Sequence, residues 1–529
     1  MKFKNLLFAL AAIVGIAATS CSKTKTDPTP TPTCPGGAGC PVVSTGPADS
    51  VSTKFAGGLL GNTKTHSTFT FLAGKTYNIT KANVIITNAD VVIQAGATIL
   101  FGGVPLKVTI GLGPKRNEES HRLNFDIDKY KANVALHSAQ LKQLSLGNHN
   151  VQLAPPDTGS KSSVFGFYVI NTEKVATGTV KSTVKINGTA TSHVTFSTLE
   201  TNPQWPNGYW GGITMDSTVT SAQFEWVDIA HTGGVDSIGG NQYAIYYRGN
   251  VAKGAVRDNF IMENSSVEYG VDDCTRMEGL LNLAIRGNVF KRQGSNDGDG
   301  INIKSGSIGD VCYNYCWAGA NNSIKLNAST KDKTLVTNVN IYNNTIISGG
   351  WRKHGEASSG ILIDAFAKGA CYNNLIINCR NGFTLSNLAD TSFYTLNATG
   401  ATRETNINQV VGNNFIYAFV DSVAANSYGF MQFSNKRAGD ISALTLAGQT
   451  DPKIVKIDRN TVGYTDQPTS YPDNNDPHLQ SSSPAIGKGN SSSKNYVNAL
   501  NYGSQWAPGE DIGAFQVTNA TKGNLRGNN

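Results

Sequence analysis

The chain carries short alternations of apolar and polar residues that return at intervals of a few tens of residues. Apolar side chains fall at every second position in runs of four or five, which is strand periodicity, and turn-forming residues separate the runs. One recurring phrase begins with asparagine: Asn264-Ser-Ser-Val, Asn288-Val-Phe-Lys, Asn314-Tyr-Cys-Trp, Asn344-Thr-Ile-Ile, Asn374-Leu-Ile-Ile and Asn414-Phe-Ile-Tyr. The steps between these asparagines are 24, 26, 30, 30 and 40 residues. Such a period fits one solenoid coil of three short strands and their turns, with longer steps marking loops inserted at a corner. Asparagine is expected to take the left-handed bend of the corner and to bond its amide to the equivalent asparagine of the next coil.

A second family of strands sets the expected register: Ala244-Ile-Tyr-Tyr-Arg248, Gly270-Val-Asp-Asp-Cys274, Gly300-Ile-Asn-Ile-Lys304, Ser323-Ile-Lys-Leu-Asn327, Gly360-Ile-Leu-Ile-Asp364 and Gly382-Phe-Thr-Leu-Ser386. Alternation places Ile245, Val271, Ile301, Ile324, Ile361 and Phe383 in one inward column. Tyr246, Asp272, Asn302, Lys325, Leu362 and Thr384 then face outward, with Arg248, Lys304 and Asp364 in the neighbouring outward row. These phrases resemble the Asn-Asn-Thr-Ile-Ile and Gly-Ile-x-Ile strands of right-handed parallel β-helix repeat proteins, the architecture of pectate lyases, polygalacturonases and many bacterial surface proteins. The resemblance covers about residues 244–417 and implies an all-β, single-stranded right-handed parallel β-helix with loop insertions.

Upstream, Tyr77-Asn-Ile, Asn83-Val-Ile-Ile, Val91 to Phe101, Val184-Lys-Ile-Asn-Gly-Thr-Ala190, His193-Val-Thr-Phe196 and Trp210-Gly-Gly-Ile213 read as further strands. Their order resembles the N-terminal half of a family of exported β-helix lipoproteins. A charged, partly helix-compatible stretch at about 114–163 interrupts it as a loop excursion. Ser483-Pro-Ala-Ile-Gly-Lys-Gly489 and Glu510-Asp-Ile-Gly-Ala-Phe-Gln516 resemble the closing segment of such lipoproteins and are expected to cap the last coil. The expected divisions are 56–230 for the cap and first coils, 231–425 for the regular repeats and 426–529 for the last coils and closing segment.

Residues 1–20 read as a signal peptide, with Lys2 and Lys4 ahead of a short apolar run from Leu6 to Ala18. Ala18-Thr-Ser-Cys21 resembles the bacterial lipobox, which implies lipidation of Cys21 and a membrane anchor at the cell envelope, with the leaflet open. Residues 21–55, rich in Thr and Pro, read as a flexible tether. Composition agrees with an all-β chain: 56 glycines against 5 methionines in 529 residues. The net charge of +7 is spread over 44 basic and 37 acidic residues, with no dense basic cluster and no nucleic-acid motif, so a nucleic-acid partner is excluded as a working reading. A monomer is expected. Cys34 and Cys40 flank a short glycine-rich loop that either closes as a disulfide or stays open, whereas Cys274, Cys312, Cys316, Cys371 and Cys379 read as small buried hydrophobes rather than metal ligands.

Candidate chemistry gathers where the outward rows meet the turn Asn296-Asp-Gly-Asp-Gly300. The run Asp-Gly-Ile-Asn-Ile-Lys304 loosely resembles the Asp-Gly-Phe-x-x-Lys strand of one calcium-dependent polysaccharide lyase family. That resemblance implies Lys304 as the base and Asp272, Asp273, Asp297 and Asp299 as Ca2+ ligands, while the outward rows add Lys325 and Arg248 as further cationic candidates. Lysine serves as a base only with a depressed pKa, and each acid read alone is a solvated turn carboxylate. Asp272 with Asp299 is the best glycosidase pair, but the Gly-His-Gly and Arg-Ile-Lys motifs of polygalacturonases are missing. Asn302, Trp205, Tyr209, Tyr246 and Trp351 are candidate sugar contacts, while Trp210 reads as core and His354 as a solvated loop residue. Two function classes stay open: a glycan-binding or glycan-cleaving envelope protein, and a non-catalytic structural or adhesive solenoid.

Overall fold

The computed structural model describes residues 48–526 apart from 62–64, 82, 103–166, 170–181, 206–207, 235–242, 252–254, 296, 329–334, 336, 354–357, 365–366, 368, 386–393, 397–402, 406–410, 429–438, 462, 464–474 and 492–503. The signal peptide, Cys21, the Cys34–Cys40 loop, the 114–163 excursion and His354 lie outside the described residues. Ala48–Ser50 is already a strand, paired in parallel with Ser67–Phe71, inside the stretch expected to be tether.

The chain is a right-handed parallel β-helix. Sheet I has 11 strands, from Ala48–Ser50 to Val411–Gly412. Sheet II has 10, from Gly58–Leu60 to Phe383–Leu385, and sheet III has 10, from Thr76–Ile79 to Phe415–Tyr417. A coil visits sheets I, III and II in turn, as in Leu281–Arg286, Val289–Lys291 and Ile301–Lys304. Every pairing within the three sheets that joins one of these coils to the next is parallel. Strands of two to seven residues bury too little apolar surface to persist alone, so each depends on the coil above and below.

The apolar column of sheet II runs through Ile213, Ile245, Thr275, Ile301, Ile324, Ile361 and Phe383. Five of the six expected members are there. The exception is a register correction: Ile245 pairs with Thr275, not Val271, because the strand is Thr275–Glu278 and Gly270 to Cys274 belong to the corner before it. Each completely buried isoleucine of this column contributes about 1.5–3 kcal/mol relative to exposure.

The asparagine ladder is present and carries a second correction. Its rungs are Ser265, Asn288, Asn314, Asn344, Asn374 and Asn414, so Asn264 is displaced by Ser265, whose N–H donates to Asn288 Oδ1 at 2.9 Å. Each later rung donates its backbone N–H and its Nδ2 to the Oδ1 of the next, at 2.9–3.1 Å. Asp440 closes the series by accepting the N–H of Asn414 at 2.8 Å. The left-handed bend falls on the residue before each rung: Asn264, Gly287, Tyr313, Asn343, Asn373 and Asn413 have φ of 47, 66, 57, 50, 58 and 53°. Bend and bonding thus use two adjacent residues, not one.

The closing segment lies along the side of the solenoid. Ile512, Ala514 and Phe515 pack on the outer face of sheet III against Tyr315, Ile347 and Leu375. Trp506 rests on Tyr313 and Tyr342 and crosses Gly287, where an added Cβ would stand 2.6 Å from its ring. Asn524 Nδ2 donates to the carbonyls of Asn288 and Tyr313, and Arg526 pairs with Asp228. The segment therefore straps several coils together. The last coil is covered instead by residues 426–428 and 440–441, whose backbone continues the ladders on Gly382, Phe383 and Phe415. Among the described residues no helix is long and apolar enough to cross a membrane, and the five described cysteines are free and buried.

Asn344 tests the ladder. Its replacement by alanine strands the backbone N–H of Asn314 and one hydrogen of its Nδ2, and each buried orphan costs about 1–3 kcal/mol. Equilibrium unfolding of Asn344→Ala is expected to show a loss of about 3 kcal/mol or more, against less than about 0.5 kcal/mol for Val256→Ala on the surface.

Candidate functional site

The polar cluster begins at the corner between sheets III and II. Asp273, Asp299, Asn322 and Ser359 occupy equivalent positions two residues before the sheet II strands, and they form a second ladder. Asp273 Oδ1 accepts the N–H of Asp299 at 2.7 Å, Asp299 Oδ1 accepts the N–H of Asn322 at 3.1 Å, and Asn322 Oδ1 accepts the N–H of Ser359 at 2.9 Å. It runs in the opposite sense to the asparagine ladder, each rung here accepting from the coil that follows. Two carboxylates are thereby buried side by side in successive coils.

Corrected register places Arg276, not Asp272, in the outward row, which reads Tyr246, Arg276, Asn302, Lys325, Leu362 and Thr384. The next outward row pairs Arg248 with Glu278 and Glu278 with Lys304, and Asn327 Nδ2 donates to Asp364 Oδ2 at 3.1 Å beyond them. Neighbouring members of a row are about 4.8 Å apart at the backbone. Asn302 is the hub: its Nδ2 donates to Asp273 Oδ2 at 2.9 Å and to Asp299 Oδ2 at 2.8 Å. Arg276 Nη1 stands 3.5 Å from Asp273 Oδ2 with its guanidinium over the Tyr243 ring, and Lys325 Nζ stands 4.0 Å from Asp299 Oδ2.

Asp272, Asp273, Asp297, Asp299, Asn302, Lys304 and Lys325 therefore converge, though not in equal roles. Asp297 is exposed and tied to Lys353 Nζ at 2.7 Å and Asn321 Nδ2 at 3.1 Å. Its acidity is enhanced: burial opposes the charge, but the Lys353 bond and the N–H of Gly298 outweigh it. Burial pushes Asp272 well above the usual carboxylate range, and the charges of Asp273 and Asp297 push it further. Asp273 is also raised, by burial and then by Asp299. Lys325 is held protonated above its ordinary value by Asp299.

Lys304 differs from the other cations. Burial, and then repulsion from Arg276, push its ammonium down to about 8, against the weaker pull of Asp273. Among the described residues no carboxylate stands within ion-pair distance of its Nζ. That depression brings it into the range of a lysine tuned toward general-base service, with a minor neutral fraction near pH 7 that grows as pH rises through about 8.

The aromatic candidates do not line this cluster with open faces. Tyr246 faces outward but is 2% exposed, packed on Tyr243 with its hydroxyl donating to Glu278 at 3.2 Å. Trp205 is buried beneath the Arg352 guanidinium, and Tyr209 packs against the core with its hydroxyl on the backbone of Gln204. Trp351 donates Nε1 to the Asn378 carbonyl at 2.9 Å and packs near Ala418 and Val423. Trp210 is core, stacked 4.5 Å from Phe101.

Calcium fits these acids poorly. Both oxygens of Asp273, Asp297 and Asp299 already face protein donors or cations, and among the described residues no group of three or more His, Cys, Asp or Glu is arranged to hold a metal ion. Arg276, Glu278, Tyr243, Asn322 and Lys353 were not expected here. Aligning Asp273-Cys-Thr-Arg-Met-Glu278 with Asp299-Gly-Ile-Asn-Ile-Lys304 would have found the first two, since acid and outward residues then coincide. No family model, no curated protein and no solved structure matches this chain.

The folded pKa of Lys304 lies below the unfolded value of about 10.4, so the native state binds fewer protons between about pH 8 and 10.4. The cost of holding that charge is complete below the folded value and disappears as pH rises through the window. Lys304→Met is expected to melt at a higher temperature than the wild type near pH 7, with the gap closing toward pH 10. A variant that melts lower near pH 7 would show the ammonium to be a structural ion-pair partner.

Proposed function

We propose that this chain is a lipid-anchored β-helix of the bacterial cell envelope, related in architecture to the pectate lyases, that binds acidic polysaccharide and cleaves it by β-elimination. The single observation that carries the reading is Lys304: a partly desolvated amine with no carboxylate within ion-pair distance among the described residues, pushed down to about 8 by burial and then by the charge of Arg276. A uronate carboxylate placed between Arg276 and Lys325 would have its developing enolate charge stabilised by both cations. The neutral Lys304 amine then takes the proton from the carbon bearing that carboxylate. The electron pair forms a carbon–carbon double bond, the glycosidic carbon–oxygen bond breaks, and the departing oxygen takes a proton from solvent. Because the acids already serve the ladder, no step is routed through Ca2+.

Mixing the protein with polygalacturonate, alginate or hyaluronan is expected to raise the absorbance of unsaturated uronate with at least one of them. The rate should climb as pH rises through about 8, where Lys304 loses its proton. Lys304→Met should lower it at least about a hundredfold, the scale of a general base, and EDTA should leave it unchanged. Absence of the band across the panel would exclude the lyase reading.

A second reading is a non-catalytic envelope scaffold, favoured by the use of Asp273 and Asp299 as ladder rungs. Absence of both binding and turnover across the panel, with loss of stability in Asp299→Ala, would select it.

A further inference from the structure

Asn302 holds an unfilled acceptor. Both hydrogens of its Nδ2 are committed, one to Asp273 and one to Asp299. Turning the amide over would break both of these bonds and set its oxygen against the oxygens of the two carboxyl groups. The Oδ1 is therefore fixed at the opposite end of the group. It is buried, the residue being 2% exposed, and it receives no hydrogen bond. Its neighbours in the outward row are Arg276 on one coil and Lys325 on the next.

We infer that Asn302 Oδ1 is the receptor for a ligand hydroxyl, so that the site reads a hydroxyl next to a carboxylate: a sugar-acid unit, not an anion alone. This inference rests on the acidic-glycan reading and adds to it which group beside the carboxylate is recognised. The carboxylate lies between Arg276 and Lys325, whose long side chains part to admit it, and the ring hydroxyl donates to Asn302. Asp273 and Asp299 are positioning residues, since they hold the amide oxygen toward the ligand. The same arrangement favours the free hydroxyl over a blocked one, because a blocked unit supplies no donor to this acceptor and forgoes the hydrogen bond.

Isothermal titration of the full-length protein with polygalacturonate oligomers and with the same oligomers O-acetylated on their ring hydroxyls tests this. Wild-type protein is expected to bind the unblocked oligomer at least tenfold more tightly. Asn302→Ala, checked for retained strand content by circular dichroism, is expected to bring the two affinities within about twofold of each other. Equal wild-type affinity for both oligomers overturns the inference while leaving the acidic-glycan reading intact. Discrimination retained in Asn302→Ala overturns it as well. Failure of the unblocked oligomers of polygalacturonate, alginate and hyaluronan alike to bind overturns both.

Discussion

A chain wound into coils exposes, at every corner, backbone N–H groups that no strand can satisfy, and it must find an acceptor for each or bury it unpaired. In this chain the acceptor comes from the neighbouring coil. Asn314, Asn344 and Asn374 receive N–H groups at one corner, Asp273, Asp299 and Asn322 at another, and both series work only if successive coils stand in register. The apolar column of Ile301, Ile324 and Ile361 imposes the same condition from inside, since a slip of one residue would turn these side chains outward.

The site follows from this condition. An acid used as a rung keeps a second oxygen, and in Asp273 and Asp299 that oxygen turns toward the first outward row, where Asn302, Arg276 and Lys325 gather around it. The pairing of acids with Asn302, Arg276 and Lys325 leaves Lys304 further along the strand face, close to cations and, among the described residues, with no acid within ion-pair distance. The depressed pKa of Lys304 comes first from its burial and then from the Arg276 charge beside it. What begins as a device for closing corners ends as a row of oriented donors, one amine and one fixed acceptor.

Much of the fold was legible because its signal is repeated: six asparagines and a run of alternating strands report one architecture many times over, and the errors average out. The site was less legible because it depends on single registers. Gly270-Val-Asp-Asp-Cys274 alternates as well as Thr275-Arg-Met-Glu278 does, and choosing the first frame moved Asp272 into the outward row and left Arg276 out of it. Asn264 was mistaken for a rung for a similar reason: bend and rung are adjacent, and asparagine suits both. The partners of the closing segment, such as Trp506 on Tyr313, lie almost two hundred residues away in sequence, beyond the reach of any local pattern. Burial of Trp205 beneath Arg352 likewise depends on a residue from a distant coil.

Paired cysteines read this register directly, because in-register neighbours on parallel strands stand about 4.8 Å apart, within the span of a disulfide. With Arg276→Cys and Asn302→Cys in one chain, mild oxidation is expected to close a bridge visible by mass spectrometry of the digested protein, while Asp272→Cys with Asn302→Cys should stay reduced. Bridging of the second pair and not the first would mean that the coils stack in the other frame, and the row of Arg276, Asn302 and Lys325 would not exist.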